Sequence, residues 1–204
     1  CAPCQPFSNL RNVTNKSKSD KWPLLNEFSR LVREIRPDFV TMENVPQLKK
    51  QSIFSDFLET LRELGYQVSA TVVDAADYGV PQRRNRLVLL ASLHGPIHLL
   101  SPQEIGAKKK TVREAIGSLP ELKAGETHIS DPLHKSRALS DLNLNRIRAS
   151  VPGGTWEDWP DHLKLECHKK DSGATFKSVY GRMQWDQPSG TITTQSSNVG
   201  TGRF

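Results

Sequence analysis

Hydrophobic residues recur at helical spacing in two segments of the N-terminal half. In residues 23–36, apolar side chains fall three and four positions apart between Pro23 and Pro37, which predicts an amphipathic helix bounded by the two prolines. Residues 52–65 have the same spacing and end at Gly65, a residue typical of a helix C-terminus. We therefore predict two helices that each bury one face.

Three short segments rich in Val, Leu and Thr indicate buried strands, at residues 38–45, 66–73 and 86–91. The first strand lies between the two predicted helices, and such alternation is typical of an α/β fold. The connection from Asp74 to Arg86 has 13 residues with neither a helical period nor a tight-hairpin signature. A long connection in a compact domain is usually functional.

Past residue 95 the sequence becomes rich in proline, glycine and polar residues. We predict a short helix in residues 111–119 and loops in 119–135 and 151–160. The alternating Thr and Ile of residues 180–195 predict a strand. The change in character predicts a second, smaller and loop-rich region.

Composition narrows the class of protein. The 204 residues include 28 Lys and Arg against 22 Asp and Glu, a net charge of +6, which favours contact with phosphates. The sequence shows neither a membrane-length apolar run nor a secretory leader, which predicts an intracellular protein without membrane contact. Three cysteines are an odd and sparse set, which argues against a disulfide framework and favours a reducing compartment.

Polar residues that could carry chemistry fall at the ends of the predicted strands. They are the Cys4 turn, the pair Glu43 and Asn44, and residues 82–86. In open α/β sheets, ligands bind beside the carboxyl ends of strands. A thiol, an acid and a cluster of guanidinium groups are therefore expected to converge.

The residues alone leave other interpretations open. Cys1 and Cys4 form a CxxC pair, but Cys167 and His168 are adjacent rather than spaced as a second pair of zinc ligands, so we predict no metal site. Cys4 alone is compatible with a buried structural thiol, Glu43 with a surface ion pair, and the arginines with a solvated cluster.

Three short motifs, "PCQPFS", "ENV" and "QRRNR", occur in an order that resembles the core motifs of the DNA (cytosine-5)-methyltransferase family. Residues 64–92 are similar to the family's stretch through its glutamine-arginine motif almost end to end. Residues 180–194 resemble the segment where the target-recognition region returns to the catalytic domain. The resemblance implies part of a Rossmann-like methyltransferase sheet with a smaller, loop-rich target-recognition region. It divides the chain into a catalytic portion (1–98), a linker with a short helix (99–134) and a partial target-recognition region (135–204).

The family's activity gives the candidate residues their roles. The resemblance implies methyl transfer from S-adenosylmethionine to carbon 5 of a cytosine that is flipped out of double-stranded DNA. Cys4 is then the nucleophile that adds to carbon 6, because a thiolate is the side chain best able to do so near neutral pH. Glu43 is the acid near ring nitrogen 3. Arg86 contacts the carbonyl oxygen of the base, and Arg84 helps to orient the acid.

The resemblance also implies two sets of binding residues, one beside the nucleophile and along the recognition segments, the other toward the cofactor. The DNA-contact set is Gln5, Ser8, Gln82 and Thr194. The cofactor set is Leu25 and Asn44.

The sequence departs from the family at both ends. The glycine-containing loop and the acid that grip S-adenosylmethionine upstream of the Cys4 turn are not present, and neither is a closing segment after the target-recognition region. We therefore expect a partial chain that is inactive alone and that associates, through an exposed sheet edge, with the missing parts of the enzyme or with itself. The family implies a cytoplasmic, nucleoid-associated prokaryotic enzyme of a restriction-modification system. A non-catalytic DNA-binding remnant is the alternative, and a thiol redox or zinc protein is a third.

Overall fold

The structure is a computed structural model that describes residues 24–170, 179–193, 198–200 and 204. Cys1, Cys4, Gln5, Ser8 and Thr194 lie outside these described residues.

The chain divides into two compact units. One comprises Cys1–Tyr78 and Arg84–Lys108, and the other comprises Gly79–Arg83 and Lys109–Phe204. Each unit has its own cluster of buried hydrophobic residues.

The first unit alternates helices and strands. In chain order it contains α1 (Leu24–Ile35), β1 (Phe39–Asn44), α2 (Ser52–Glu63), β2 (Gln67–Asp74) and β3 (Asn85–Ser92), with 3₁₀ helices at Pro46–Lys50 and Ala75–Tyr78. The predicted helices and strands of this part of the chain are confirmed to within two residues at each end. The connection between β2 and β3 is shorter than predicted because both strands extend into it, and its first residues form a 3₁₀ helix.

Gly65 ends α2 as its position in the sequence predicted. It has φ of 88°, a left-handed conformation that glycine adopts without steric cost. The amide of Gly65 donates to the carbonyl of Arg62 at 2.9 Å, and the amide of Tyr66 donates to that of Leu61 at 3.0 Å. These two bonds form a Schellman motif, which satisfies carbonyl groups at the helix end and turns the chain into β2.

The three strands form a sheet in the order β1-β3-β2, and β3 is antiparallel to both neighbours. β1 and β2 are therefore parallel to each other, with α2 as the crossover between them. This mixed α/β sheet agrees with the predicted fold class. Asn44 pairs with Leu87 and Asp74 pairs with Asn85. The C-terminal ends of β1 and β2 and the N-terminal end of β3 therefore lie at the same end of the sheet.

One face of this sheet carries the hydrophobic core. Residues on β1 alternate between exposed and buried, as expected where helices cover only one side of a strand. Burial of a large aliphatic side chain contributes about 1.5–3 kcal/mol, so this face stabilises the unit. The buried residues include Val40, Met42, Leu87, Leu89 and Ala91 of the sheet, and Leu25, Val32, Phe54, Phe57 and Leu61 of the helices.

The second unit contains short elements. They are α3 (Val112–Ile116), β4 (Thr127–His128), β5 (Asp131–Lys135) and α4 (Asp141–Ala149), with 3₁₀ helices at Trp156–Asp158 and Asp161–Leu163. Among the predicted elements only the short helix α3 is recovered here.

Four features of this unit differ from the sequence-based prediction. The predicted loop 119–135 contains the β4–β5 hairpin, the predicted loop 151–160 contains a 3₁₀ helix, and α4 had not been predicted. The strand predicted over 180–195 is wrong for its described residues 180–193, which form turns and extended segments with one isolated bridge at Ser189. Threonine favours strands, but a strand also requires a partner along its length.

Aromatic residues form the core of the second unit. Trp156, Trp159 and Leu163 are buried together. The Trp159 indole N–H donates to the Ser150 hydroxyl at 2.8 Å, and that hydroxyl donates to the Arg146 carbonyl at 2.8 Å. The indole therefore keeps a hydrogen-bond partner after it leaves water, as buried polar groups require.

His168 packs on this aromatic core. Its ring stacks on Trp156 with centroids 4.2 Å apart, and its Nδ1 accepts a bond from the Leu165 amide at 3.4 Å. An imidazolium could not accept that bond. Burial, and to a smaller extent the charge of Arg146, lowers the pKa of His168.

We expect the second unit to lose stability as the pH falls below the ordinary histidine pKa of 6.5. A histidine whose pKa is lowered by folding takes up a proton on unfolding, so its contribution is complete above the unfolded-state pKa and declines as the pH falls toward the folded-state value. Thermal unfolding followed by tryptophan fluorescence from pH 7.5 to pH 5 measures this decline. The matched variant His168→Phe keeps an aromatic ring but cannot titrate, so its decline should be smaller. Equal pH dependence in the two proteins would contradict the assignment.

Candidate active site

An ion pair between Glu43 and Arg86 lies at the end of β1. The Arg86 Nε is 2.5 Å from Glu43 Oε1. Glu43 pairs with Val88 in the antiparallel register, so Arg86, two residues earlier on β3, is its diagonal neighbour on the same face of the sheet. Strand pairing therefore brings together two residues that are 43 positions apart in the sequence.

This pair can be reached from solvent. The Glu43 side chain is 49% exposed and that of Arg86 is 21% exposed. Arg86 also donates from NH1 to the Asn85 carbonyl at 2.8 Å, so the guanidinium is held by a second bond. A carboxyl group and a planar guanidinium fixed side by side can present adjacent donors and acceptors to one heterocyclic edge.

Arg84 lies just before β3 and is fixed through its backbone. Its amide donates to Asp74 Oδ1 at 2.8 Å, and its carbonyl accepts from the Ala75 amide at 3.1 Å. The side chain of Arg84 is half-buried. The structure thus places three of the predicted residues, Glu43, Arg84 and Arg86, in the first unit at the end of the sheet where β1 ends and β3 begins.

Gln82 belongs to the second unit, where its neighbours are held by the segment Gln187–Thr191. Gln82 forms an isolated parallel bridge with Ser189. The Arg83 amide donates to the Ser189 carbonyl at 2.8 Å, and the Ser189 amide donates to the Pro81 carbonyl at 2.9 Å. Side chains add two further bonds, from the Thr191 hydroxyl to the Arg83 carbonyl at 2.8 Å and from Arg83 NH2 to Gln187 Oε1 at 3.1 Å.

The two residues predicted to face the cofactor are buried. Leu25 on α1 is 2% exposed within the core, and Asn44 is 1% exposed. The Asn44 side-chain oxygen accepts from the Val45 amide at 2.9 Å. Neither side chain presents surface to a ligand in this arrangement, so their role toward S-adenosylmethionine stays a prediction.

Sequence reasoning missed the residues that hold the predicted site in place. Asp74 had no predicted role in it, and the segment Gln187–Thr191 was predicted as part of a strand and of the stretch that resembles the family, not as a support for residues 81–83. An aspartate at a strand end is a recognised turn signal, so part of the Asp74 role could have been found. Nothing local to Ser189 or Thr191 indicates a partner more than 100 positions away.

The C-5 cytosine-specific DNA methylase family matches residues 1–202 of the chain. The chain belongs to this family. The resemblance carried by the three short motifs is thereby confirmed.

Curated relatives of this chain include type II enzymes from bacteria. The type II methylase M.HgiDII of Herpetosiphon aurantiacus is 50% identical over 100% of this chain and 58% of its own length. The type II methyltransferase M1.BsuMI of Bacillus subtilis is 31% identical over 99% of this chain and 46% of its own length. The chain thus spans about half the length of these curated relatives.

A solved structure supports the fold of this chain. It is a crystal structure described as a DNA modification methyltransferase encoded within a prophage of E. coli. It superposes with a TM-score of 0.62 at 20% identity and covers 94% of this chain and 60% of the other. At this identity the likeness shows the fold alone, which is the α/β methyltransferase fold.

Among the described residues, no helix combines the length and the apolar character that a membrane span requires. Within the same residues, no three His, Cys, Asp or Glu side chains cluster as metal ligands. Cys167 is a free, exposed thiol.

We expect Thr191→Val to loosen the loop that carries Gln82. The variant keeps the side-chain shape but removes the hydroxyl that donates to the Arg83 carbonyl, a bond of about 1 kcal/mol. Hydrogen exchange at the Arg83 amide should therefore become about fivefold faster. Thr127→Val, an exposed threonine of β4, is the matched control. Unchanged exchange at Arg83 would show that the hydroxyl does not hold the loop.

Proposed function

We propose that the protein containing this chain transfers a methyl group from S-adenosylmethionine to carbon 5 of cytosine in double-stranded DNA. The observation that carries this proposal is the solvent-accessible pair of Glu43 and Arg86 near the end of β1, in a chain that belongs to the C-5 cytosine-specific DNA methylase family. S-adenosylmethionine would supply an electrophilic methyl group. It is assigned from the family alone.

Carbon 5 of cytosine is a weak nucleophile, so the reaction requires addition at carbon 6 first. We assign this addition to the Cys4 thiolate, which forms a carbon–sulfur bond and pushes an electron pair into the ring. The target base must leave the duplex stack before the thiolate can reach it. After carbon 5 has gained the methyl group, its proton would pass to a base or to water, and the thiolate would then depart, which restores the ring.

The paired side chains would stabilise the charge that this addition creates. In the proposed arrangement Glu43 takes up a proton from solvent when the base binds and, as a neutral carboxyl, donates a hydrogen bond to ring nitrogen 3, while Arg86 donates to the neighbouring carbonyl oxygen. Arg86 also orients the carboxyl, with which it pairs at 2.5 Å. Groups fixed before the reaction stabilise developing charge without having to reorganise. Arg84, fixed through its backbone beside them, would reinforce that orientation.

Contacts with DNA are a further part of the proposed function. We assign Gln5 and Ser8 to the position that the flipped base leaves, and Gln82 and Thr194 to other contacts with DNA. The support for Gln82 is its loop, which is held on both sides of the residue by hydrogen bonds to Ser189. A fixed backbone lowers the entropy cost of binding. With DNA as substrate, we also propose a cytoplasmic, nucleoid-associated location.

We expect duplex DNA that contains 5-fluorocytosine to trap a covalent adduct of the complete protein in the presence of S-adenosylmethionine. The fluorine at carbon 5 cannot leave as a proton does, so the thiolate cannot depart. The adduct, seen as a denaturation-resistant complex, should disappear in Cys4→Ser. Cys167→Ser removes a free thiol elsewhere in the chain and should keep the adduct. DNA binding without an adduct would instead favour the non-catalytic DNA-binding alternative.

We expect Glu43→Gln and Arg86→Ala each to slow adduct formation by about a hundredfold, because each removes a group that stabilises charge in the transition state. The dissociation constant for DNA should change much less. The double variant should be little slower than either single variant, since the two side chains act as a unit. Glu27→Gln on α1 breaks an exposed pair with Arg30 and is the matched control. Equal loss of rate in that control would argue against a specific role for the pair.

A further inference from the structure

Asp74 joins the two ends of the connection between β2 and β3. It is the last residue of β2, and its Oδ1 accepts from the Ala76 amide at 3.1 Å and from the Arg84 amide at 2.8 Å. The Ala75 amide donates to the Arg84 carbonyl at 3.1 Å. One carboxylate oxygen thus binds the residues where the connection leaves the sheet and where it returns.

The bond to Arg84 is the informative one. An aspartate at a strand end commonly accepts a bond from the amide two residues later, which is an Asx turn. The bond to Ala76 needs no further explanation. The bond to Arg84 spans ten positions and serves no local turn, so it acts on the start of β3.

The anchored residue lies close to the proposed catalytic pair in the chain and in the sheet. β3 begins at Asn85, one residue after the anchor, and Arg86 follows. Asp74 pairs with Asn85 in the register, and Val73 pairs with Arg86. Terminal residues of a strand fray readily when nothing fixes them, and the Asp74 bond acts at that point.

A carboxylate suits this task. Hydrogen bonds from a backbone amide to a charged acceptor are shorter and stronger than those to a neutral one. The Arg86 guanidinium must lie within hydrogen-bonding distance of Glu43, and a displacement of about 1 Å is enough to reduce a reaction rate about a hundredfold. A fixed strand start limits such displacement.

We propose that Asp74 is a positioning residue for the methyl transfer: its carboxylate fixes the backbone at Arg84 and thereby holds Arg86 against Glu43. This inference rests on the proposed function. Asp74 itself does not touch the reacting base.

The test compares three variants of the complete protein. Asp74→Ala removes the acceptor, Asp74→Asn keeps an acceptor oxygen of the same geometry, and Asp56→Ala removes an exposed acid from α2. Adduct formation with 5-fluorocytosine duplex DNA gives both the fraction of active molecules and the rate per active molecule. The dissociation constant for DNA is measured separately.

We expect Asp74→Ala to lower the rate per active molecule by about ten- to a hundredfold with little change in DNA affinity. Asp74→Asn should restore most of that rate, and Asp56→Ala should match the parent protein. If Asp74→Ala reacts at the parent rate per active molecule, the residue is only structural and the proposal is wrong. Failure of Asp74→Asn to restore the rate would also overturn it, since the hydrogen bond would not be the cause.

A second measurement separates this inference from the proposed function. If the parent protein forms no adduct, the proposed function fails. Hydrogen exchange at the Arg84 amide then still tests the anchor, because it should be faster in Asp74→Ala than in Asp56→Ala. Equal exchange in these two variants would overturn the anchor itself.

Discussion

The antiparallel insertion of β3 between β1 and β2 is the constraint on which the first unit depends. Pairing of Met42 with Leu89 and of Ala70 with Leu89 sets the register that buries the core. The same register makes Arg86 the diagonal neighbour of Glu43. One set of backbone hydrogen bonds therefore builds both the hydrophobic core and the proposed catalytic pair, and neither can shift without the other.

Residues remote in the sequence hold the connection that follows β2. In the first unit, Asp74 fixes the amide of Arg84. In the second unit, Ser189 and Thr191 fix the backbone of Arg83. The family's arginine-rich motif is thus supported by hydrogen bonds to its backbone as well as by the chemistry of its side chains.

Local pattern was sufficient for α1, α2 and the three strands of the first sheet because each buries a face with a regular period. It failed for residues 180–193. Their composition is typical of a strand, but their only β pairing within the described part of the chain is an isolated bridge, between Ser189 and Gln82. The β4–β5 hairpin has too few residues to show a period. Glu43 was singled out by its motif rather than by physics, since an acid at a strand end is by itself unremarkable in its chemistry. Asp74 was missed because its decisive partner lies ten positions away.

Glu43 and Asn44 are neighbours in the chain, yet one faces solvent and the other is 1% exposed on the core side. A slip of β1 by one residue would exchange them. It would bury a carboxylate away from its guanidinium, at a cost of several kcal/mol, and would expose Met42. A sheet with that shifted register is therefore less stable than the native sheet and is not populated. Completion of the core therefore also places Glu43 on the exposed face beside Arg86, as the proposed active site requires.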